Sequence, residues 1–387
     1  MDNYNFVVRI LHIYRTYYPD SQGGTQEAIR QICLATKLYG AESRILTLSP
    51  NPKPQSLHME EGLVIRSRSW IAPASCDVGA LNSLVEYQKL VAWANVIHYH
   101  FPWPFLDILQ LSNYSKKPSI LTYHSDIVKQ RFLKKLYAPL MHRTLRAMSA
   151  IIATSPNYLH SSPVLQKYFP KGNVKVIPLG ISPPKIEHEK FNAADLDYLE
   201  YVGVQSGEFL LFLGVLRQYK GVRFLIVAAQ SIKGTIVIAG DGPEGRALKE
   251  LSNLHRLKNV IFLGEVTEKQ KFLLLNHCAA LVLPSHLRSE AFGMVLIEAS
   301  MSAKAMICCE VGSGTSYVNI HGLTGFVVPP ENPLALSEAC NQLLNNKVLA
   351  SQMGLAAFQR YKTHFSATAL GKSHIDLYNQ VNSAYSN

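Results

Sequence analysis

Two glutamates eight positions apart, Glu290 and Glu298, stand in the run SEAFGMVLIEAS (289–300), just after the apolar stretch AALVLP. The pattern predicts a helix entered at Glu290, with Glu298 about two turns further in, on a buried segment carrying Val295, Leu296 and Ile297. The start of such a helix offers backbone N–H groups from Phe292, Gly293, Met294 and Val295, and these with the helix dipole suit a phosphate. Gly293 leaves room for a diphosphate to approach the backbone. A carboxylate at a helix start is commonly a cap. A second one inside an apolar helix costs roughly several kcal/mol unless it is hydrogen-bonded; the paired hydroxyls of a sugar or ribose would satisfy Glu298.

Three further segments carry chemistry. In LGVLRQYKG (213–221), Arg217 and Lys220 follow a strand-like run and could neutralise a diphosphate, Arg as a fork and Lys as a point charge. They are equally placed to be solvated surface cations. In PDSQGGTQEAI (19–29), Gly23 and Gly24 open a helix and permit close backbone approach to an anion or an acceptor, or simply make a tight turn. The run lacks G-x-G-x-x-G, so a nicotinamide fingerprint is not supported. In TYHSD (122–126), His124 ends a strand, where it could donate a hydrogen bond to a substrate hydroxyl or serve the core.

The elements that must hold these residues alternate. Strands are expected at 6–14, 43–49, 95–100, 119–124, 150–155 and 174–180, with helices between them, one from Thr25 to Tyr39. Strand, helix, strand in repetition means a parallel sheet covered on both faces. The run PLGISPP (178–184) interrupts the pattern and marks a linker. Strands then recur at 209–214, 234–240, 259–264, 279–284 and 304–309. Gly-rich turns follow them, as in GDGPEG (240–245) and GLTGFVVPPENP (322–333). In open α/β sheets ligands bind at the carboxyl ends of strands, where these turns lie.

A chain of 387 residues exceeds one ordinary core, and 48% hydrophobic with 17% charged residues is a globular composition. The expected division is 1–182, 183–365, and a closing helix over 366–387 that packs back on the first domain. The start, with an acidic residue at position 2, does not read as a secretory signal, and no stretch reaches 18 uncharged apolar residues. A cytoplasmic protein, peripheral to the inner face of the plasma membrane, is expected. None of the six cysteines forms a C-x-x-C pair, and buried reduced thiols are expected. The net charge of +11 favours an anionic partner.

Taken together, the four segments resemble the retaining glycosyltransferases of family 4, which have the GT-B fold. SEAFGMVLIEA is similar to that family's paired-glutamate motif, and IAGDGPE (238–244) and GLTGFVVPP (322–330) follow in the family's order. The resemblance spans nearly the whole chain. It implies an α/β protein with two Rossmann-like parallel-sheet domains facing across a cleft, the second holding a nucleotide sugar. Glu290 would hold donor-sugar hydroxyls, Glu298 the ribose hydroxyls, and Arg217 and Lys220 the diphosphate. Phe292, Gly293, Met294 and Val295 would supply backbone donors. His124 would contact the sugar near the reacting carbon, and Gly24 would lie near the phosphates and acceptor. There is one departure: the family pattern G-R-L-x-x-x-K-G has Arg where Val215 stands, and Arg217 lies two positions later.

The expected reaction is transfer of a hexose, mannose from GDP-mannose first and a UDP-linked hexose second. The acceptor would be a saccharide or a polyprenyl-diphosphate-linked saccharide in surface-polysaccharide assembly. Fixed cations and helix-end amides would stabilise the leaving diphosphate. The resemblance implies retention, with the leaving phosphate taking the acceptor proton. No cofactor and no metal are expected, since no Asp-x-Asp pair ends a strand and no His/Asp cluster has ligand spacing. The segment 129–148 carries Lys129, Arg131, Lys134, Lys135, Arg143 and Arg146 among apolar residues at helical spacing, with Pro139 within it. It could rest on anionic lipid, or be a helix with a core face and a solvated basic face. A GT-B sugar-nucleotide epimerase is the alternative enzyme. A basic nucleic-acid-binding protein is the alternative of another class, without a recognition helix, zinc motif or aromatic-basic motif to support it.

Overall fold

Short aliphatic runs closed by Gly, Pro or Ser build two parallel sheets in the computed structural model. It describes residues 7–71, 77–127, 131–183 and 193–386; side chains are described for all of these except 71, 131–136, 193, 194 and 386. The chain divides into two compact units, one of residues 1–182 with 366–387, the other of residues 183–365.

In the first unit the strands are β1 (Arg9–Ile13), β2 (Glu42–Ser49), β3 (Ser56–Met59), β4 (Gly62–Ile71), β5 (Val78–Gly79), β6 (Val96–Phe101), β7 (Ser119–Tyr123), β8 (Ala150–Ala153) and β9 (Val174–Val176). They form a sheet of order β3-β4-β2-β1-β6-β7-β8-β9. All neighbours are parallel except the antiparallel β3 and β5, which both pair with β4. Central strands are buried on both faces, as parallel sheets require. Ile10, Val96 and Ile120 pack with Ile32 and Ala35 of the Gly24–Lys37 helix and with Leu370, Leu377 and Tyr378 of the closing Ala367–Ser386 helix. Ile181 bridges Ser366 where the chain leaves and re-enters this unit.

The second unit holds β10 (Phe209–Leu213), β11 (Thr235–Ala239), β12 (Val260–Gly264), β13 (Ala280–Leu283), β14 (Ala305–Cys309) and β15 (Gly325–Val328). Their order is β12-β11-β10-β13-β14-β15, all parallel. Order reverses beside β10, so the loops after β10 and β13 leave neighbouring strands at the switch point, where α/β sheets bind ligands.

Four strands arise outside the expected set. β3, β4 and β5 form a hairpin-like edge in a segment rich in Ser, Arg and Pro. β15 lies within GLTGFVVPPENP, where glycines and prolines mask a four-residue strand. Cys33, Cys278, Cys308, Cys309 and Cys340 are buried free thiols; Cys76 lies outside the described residues.

The basic segment forms the helix Arg131–Ala147 with Pro139 inside it. Lys129 and the side chains of Arg131, Lys134 and Lys135 lie outside the described residues. Arg143 and Arg146 are exposed, while Met141 and Leu145 are buried. The Tyr137 hydroxyl donates to the buried Asp107 carboxylate. The apolar face of the described part is therefore core. Among the described residues no helix is long and apolar enough to cross a membrane.

Candidate active site

In the second unit, the loop after β10 turns through a short 3-10 helix, Gln218–Lys220, and ends at Gly221 with φ 68°. A Cβ at Gly221 would lie 2.1 Å from the Pro284 carbonyl oxygen, so only glycine lets this loop seat against the one after β13. A backbone bond from His286 N to Tyr219 O, 3.0 Å, ties the two loops together. Leu216 N donates to Asp241 O, which rests the loop on the GDGPEG turn.

This stitching brings Lys220 and Glu290 together across 70 positions of sequence. The Lys220 ammonium donates to Glu290 Oε2 at 2.5 Å, and the Ser285 hydroxyl donates to the same oxygen at 3.0 Å. Their side chains are only 13% and 10% exposed. Burial alone would lower the Lys220 pKa, but the Glu290 carboxylate beside it raises it overall, so the cation is firmly held. One ammonium hydrogen goes to Glu290, leaving two for another anion.

The helix after β13 begins at Met294, four residues beyond Glu290. The expectation of a helix entered at Glu290 is thereby corrected. Gly293 is the N-cap, in the left-handed region at φ 83°, and no side chain caps this end. The glycine sets the helix start because its conformation excludes a residue with a Cβ, whereas Glu290 is held in the preceding loop by Lys220 and Ser285. The first N–H groups, of Met294 and Val295, have no acceptor within the helix. Phe292 is buried, its ring edge-on to Phe365, which anchors the turn.

Glu298 departs from its expected environment. It lies on the half-exposed side of Met294–Met301, and its Oε1 accepts from Lys271 Nζ at 2.8 Å. Lys271 lies on the Glu268–His277 helix and also meets Glu268 at 2.9 Å. The carboxylate thus has a protein partner, and its place in an apolar helix does not by itself call for a ligand hydroxyl. Nothing local in the sequence points to Lys271, because 27 positions separate it from Glu298 and its own helix shows no site-like pattern. Arg217 is exposed and makes no ion pair among the described residues, leaving its guanidinium open to an anion. Val215, at the position where the family pattern has Arg, is also exposed.

In the first unit, Gly24 is the first residue of Gly24–Lys37, and a Cβ there would meet open space. The loop leading to it is pinned: Asp20 takes two hydrogen bonds from Arg66, 3.0 and 2.7 Å, and Arg66 is 5% exposed. Gln26 donates to Thr16 and Ser21. His124 follows β7 and is 5% exposed.

His124 is not a lone histidine. His12 on β1 and His98 and His100 on β6 share its face of the sheet, with His374 from the closing helix beside His98. His12 Nδ1 lies 3.1 Å from His100 Nε2, and His100 Nδ1 lies 3.0 Å from His124 Nε2. His98 bonds Tyr378 and Thr122, at 2.8 and 2.7 Å. Burial pushes these rings down, His12 and His124 to about 3 and His374 to about 4, with His374 adding to it for the first two. His98 and His100 are lowered for the same first reason. The rings are neutral at pH 7. His12, His98 and His100 could hold a metal ion, their ligand atoms lying within 4.8 Å of one another, a grouping that sequence spacing did not disclose. The available signal was His-x-His at 98–100, one face of a buried strand, with His12 in another.

The model of the group 1 glycosyl transferases matches residues 203–360, and that of Glycosyltransferase Family 4 matches residues 22–184. The chain is 41% identical over 361 residues to the D-rhamnosyltransferase WbpZ of Pseudomonas aeruginosa, with 93% of each covered. The chain belongs to glycosyltransferase family 4. This glycosyltransferase is also 37% identical over 371 residues to the O-antigen chain mannosyltransferase C of Escherichia coli, covering 96% of itself and 98% of that protein. Among solved structures it resembles sucrose-phosphate synthase of Thermosynechococcus elongatus, with TM-score 0.76, 21% identity and 97% and 100% of the two chains covered. It also resembles HepE of Anabaena in complex with UDP and glucose, with TM-score 0.73, 18% identity and 96% and 100% covered. Its two parallel-sheet units are those of the GT-B fold.

Proposed function

We propose that this glycosyltransferase moves a manno-configured hexose, with retention, from a GDP-linked donor to a saccharide of a growing surface polysaccharide, the O-antigen type first. The observation that carries it is the Lys220–Glu290 pair beside the uncapped start of Met294–Met301, a cation and free amides ready for a diphosphate. The choice of sugar is supported by the two relatives above, named for mannose and for D-rhamnose, which is mannose without its 6-hydroxyl.

In this reading Lys220, Arg217 and the N–H groups from Phe292 to Val295 neutralise the diphosphate as its bond to the sugar breaks. Glu290, fixed by Lys220 and Ser285, accepts from sugar hydroxyls through its remaining lone pairs. Glu298 accepts from ribose hydroxyls while Lys271 holds it. His124 donates to a sugar hydroxyl, and the open backbone at Gly24 admits a phosphate or the acceptor. The leaving phosphate takes the acceptor proton, so no separate base and no metal is assigned. A lipid-linked acceptor is consistent with the exposed Arg143 and Arg146, at about 1 kcal/mol per cation near an anionic surface.

The test is a panel of sugar nucleotides read by thermal shift and by slow donor hydrolysis. GDP-mannose or GDP-D-rhamnose should stabilise the protein and release GDP. A shift only with UDP-hexoses would overturn the choice of donor. Clean conversion of the donor to an epimer would overturn transfer.

A further inference from the structure

The histidine row has a direction, and it ends at His124. His12, His100 and His124 are joined by two N···N contacts of 3.1 and 3.0 Å. A neutral imidazole has one N–H and one bare nitrogen, so a chain of such rings can point only one of two ways. If it points from His124 toward His12, the last proton sits on His12 Nε2. That atom is buried and has no partner. Buried N–H groups without acceptors are rare, whereas bare acceptors are better tolerated. If the chain points from His12 toward His124, His12 Nε2 is a bare lone pair and both contacts are satisfied.

We propose that His100 is a positioning residue: by taking the His12 proton bond on Nε2 and donating from Nδ1, it leaves His124 with its proton on Nδ1, the ring nitrogen not engaged by the row. This rests on the reading that His124 contacts a substrate hydroxyl. The surroundings keep the row in place. His98 cannot join it, because Tyr378 and Thr122 hold both its nitrogens. His374 is bound to Leu370 O through Nδ1 at 3.0 Å. The same grouping is a poor cage for a metal ion. His98 would have to give up Tyr378 or Thr122 to ligate an ion.

The first measurement is made on the unmodified full chain, labelled with 15N in histidine, by long-range proton–nitrogen correlation of the rings. Expected are Nδ1–H tautomers for His12, His100 and His124. An Nε2–H tautomer at His124 would overturn the proposal, as would a stoichiometric metal in the purified protein. The second is transfer by His100→Gln and His100→Phe. The Gln amide can accept from His12 and donate to His124, so it should retain most of the activity and the Nδ1–H form. Phe should release His124 to the other tautomer and lower kcat on the order of 10- to 100-fold with little change in donor KM. Equal activity of the two variants would overturn the proposal. His124→Phe separates the layers: normal transfer by it would remove the reading of His124 as a substrate contact, whatever tautomer the ring shows.

Discussion

Replacing Lys220 with Met removes the cation but keeps most of its bulk, and leaves the Glu290 carboxylate with Ser285 alone in a site where its side chain is 10% exposed. Breaking one side of a fully buried pair costs about 3–5 kcal/mol; with slight exposure on both sides here, about 2–4 kcal/mol is expected. Glu290→Gln should cost a similar amount, because it strands the ammonium. The double variant Lys220→Met with Glu290→Gln is neutral on both sides and should return to within about 1 kcal/mol of the parent. Activity should behave differently. If Lys220 faces the leaving diphosphate and Glu290 the sugar, each single variant and the double should lose on the order of 10²- to 10³-fold in kcat. Urea denaturation of the full chain and steady-state transfer from GDP-mannose read the two quantities. A double variant that regains activity along with stability would show that the pair only braces two loops, and the site as described would be wrong.

Gly221→Ala should destabilise by about 2–4 kcal/mol, from left-handed strain and the contact with Pro284, and reduce kcat/KM; Gly24→Ala, with open space at its Cβ, should leave stability unchanged within about 1 kcal/mol, and the reverse ranking in denaturation would refute the packing described. The buried histidines should make the protein acid-labile. Their folded pKa values, about 3 for His12 and His124 and about 4 for His374, lie below the ordinary 6.5. The unfolded chain therefore binds more protons as pH falls, and stability present above pH 6.5 is lost toward pH 3 to 4, by up to about 1.4 kcal/mol per pH unit for each ring. A denaturation midpoint that stays flat from pH 7.5 to 5 would contradict this. Glu298→Gln should raise donor KM about 10-fold with kcat and fold little changed, since Lys271 keeps Glu268; an unchanged KM would remove Glu298 from the ribose.

Most strands of both sheets were legible because parallel strands are short, wholly apolar and punctuated by turns: FLLFLG and GTIVIAG need no partner to be recognised. β4 was not, because GLVIRSRSWI lies toward the sheet edge and four of its ten residues are Arg or Ser. The paired glutamates were legible as a motif, but their surroundings were not. Sequence pattern puts helix entry at Glu290 because acidic residues cap helices, while the conformation of Gly293 moves the start four residues on, to Met294. Glu298 looked stranded in an apolar run because nothing local shows Lys271, which reaches it from another helix. His124 looked solitary because the residues flanking it on the sheet come from β1 and β6, and strand order is a long-range property. Local pattern shows which residues can do chemistry; the partners that fix their charge and tautomer are set by topology.

The claim on which the rest depends is that Lys220 and the start of the Met294–Met301 helix bind a nucleoside diphosphate. A crystal structure of the full chain with GDP measures this directly. Phosphate oxygens are expected within hydrogen-bond distance of Lys220 Nζ and of the N–H groups at Gly293 to Val295. GDP bound at another surface, with those groups facing solvent, would contradict it.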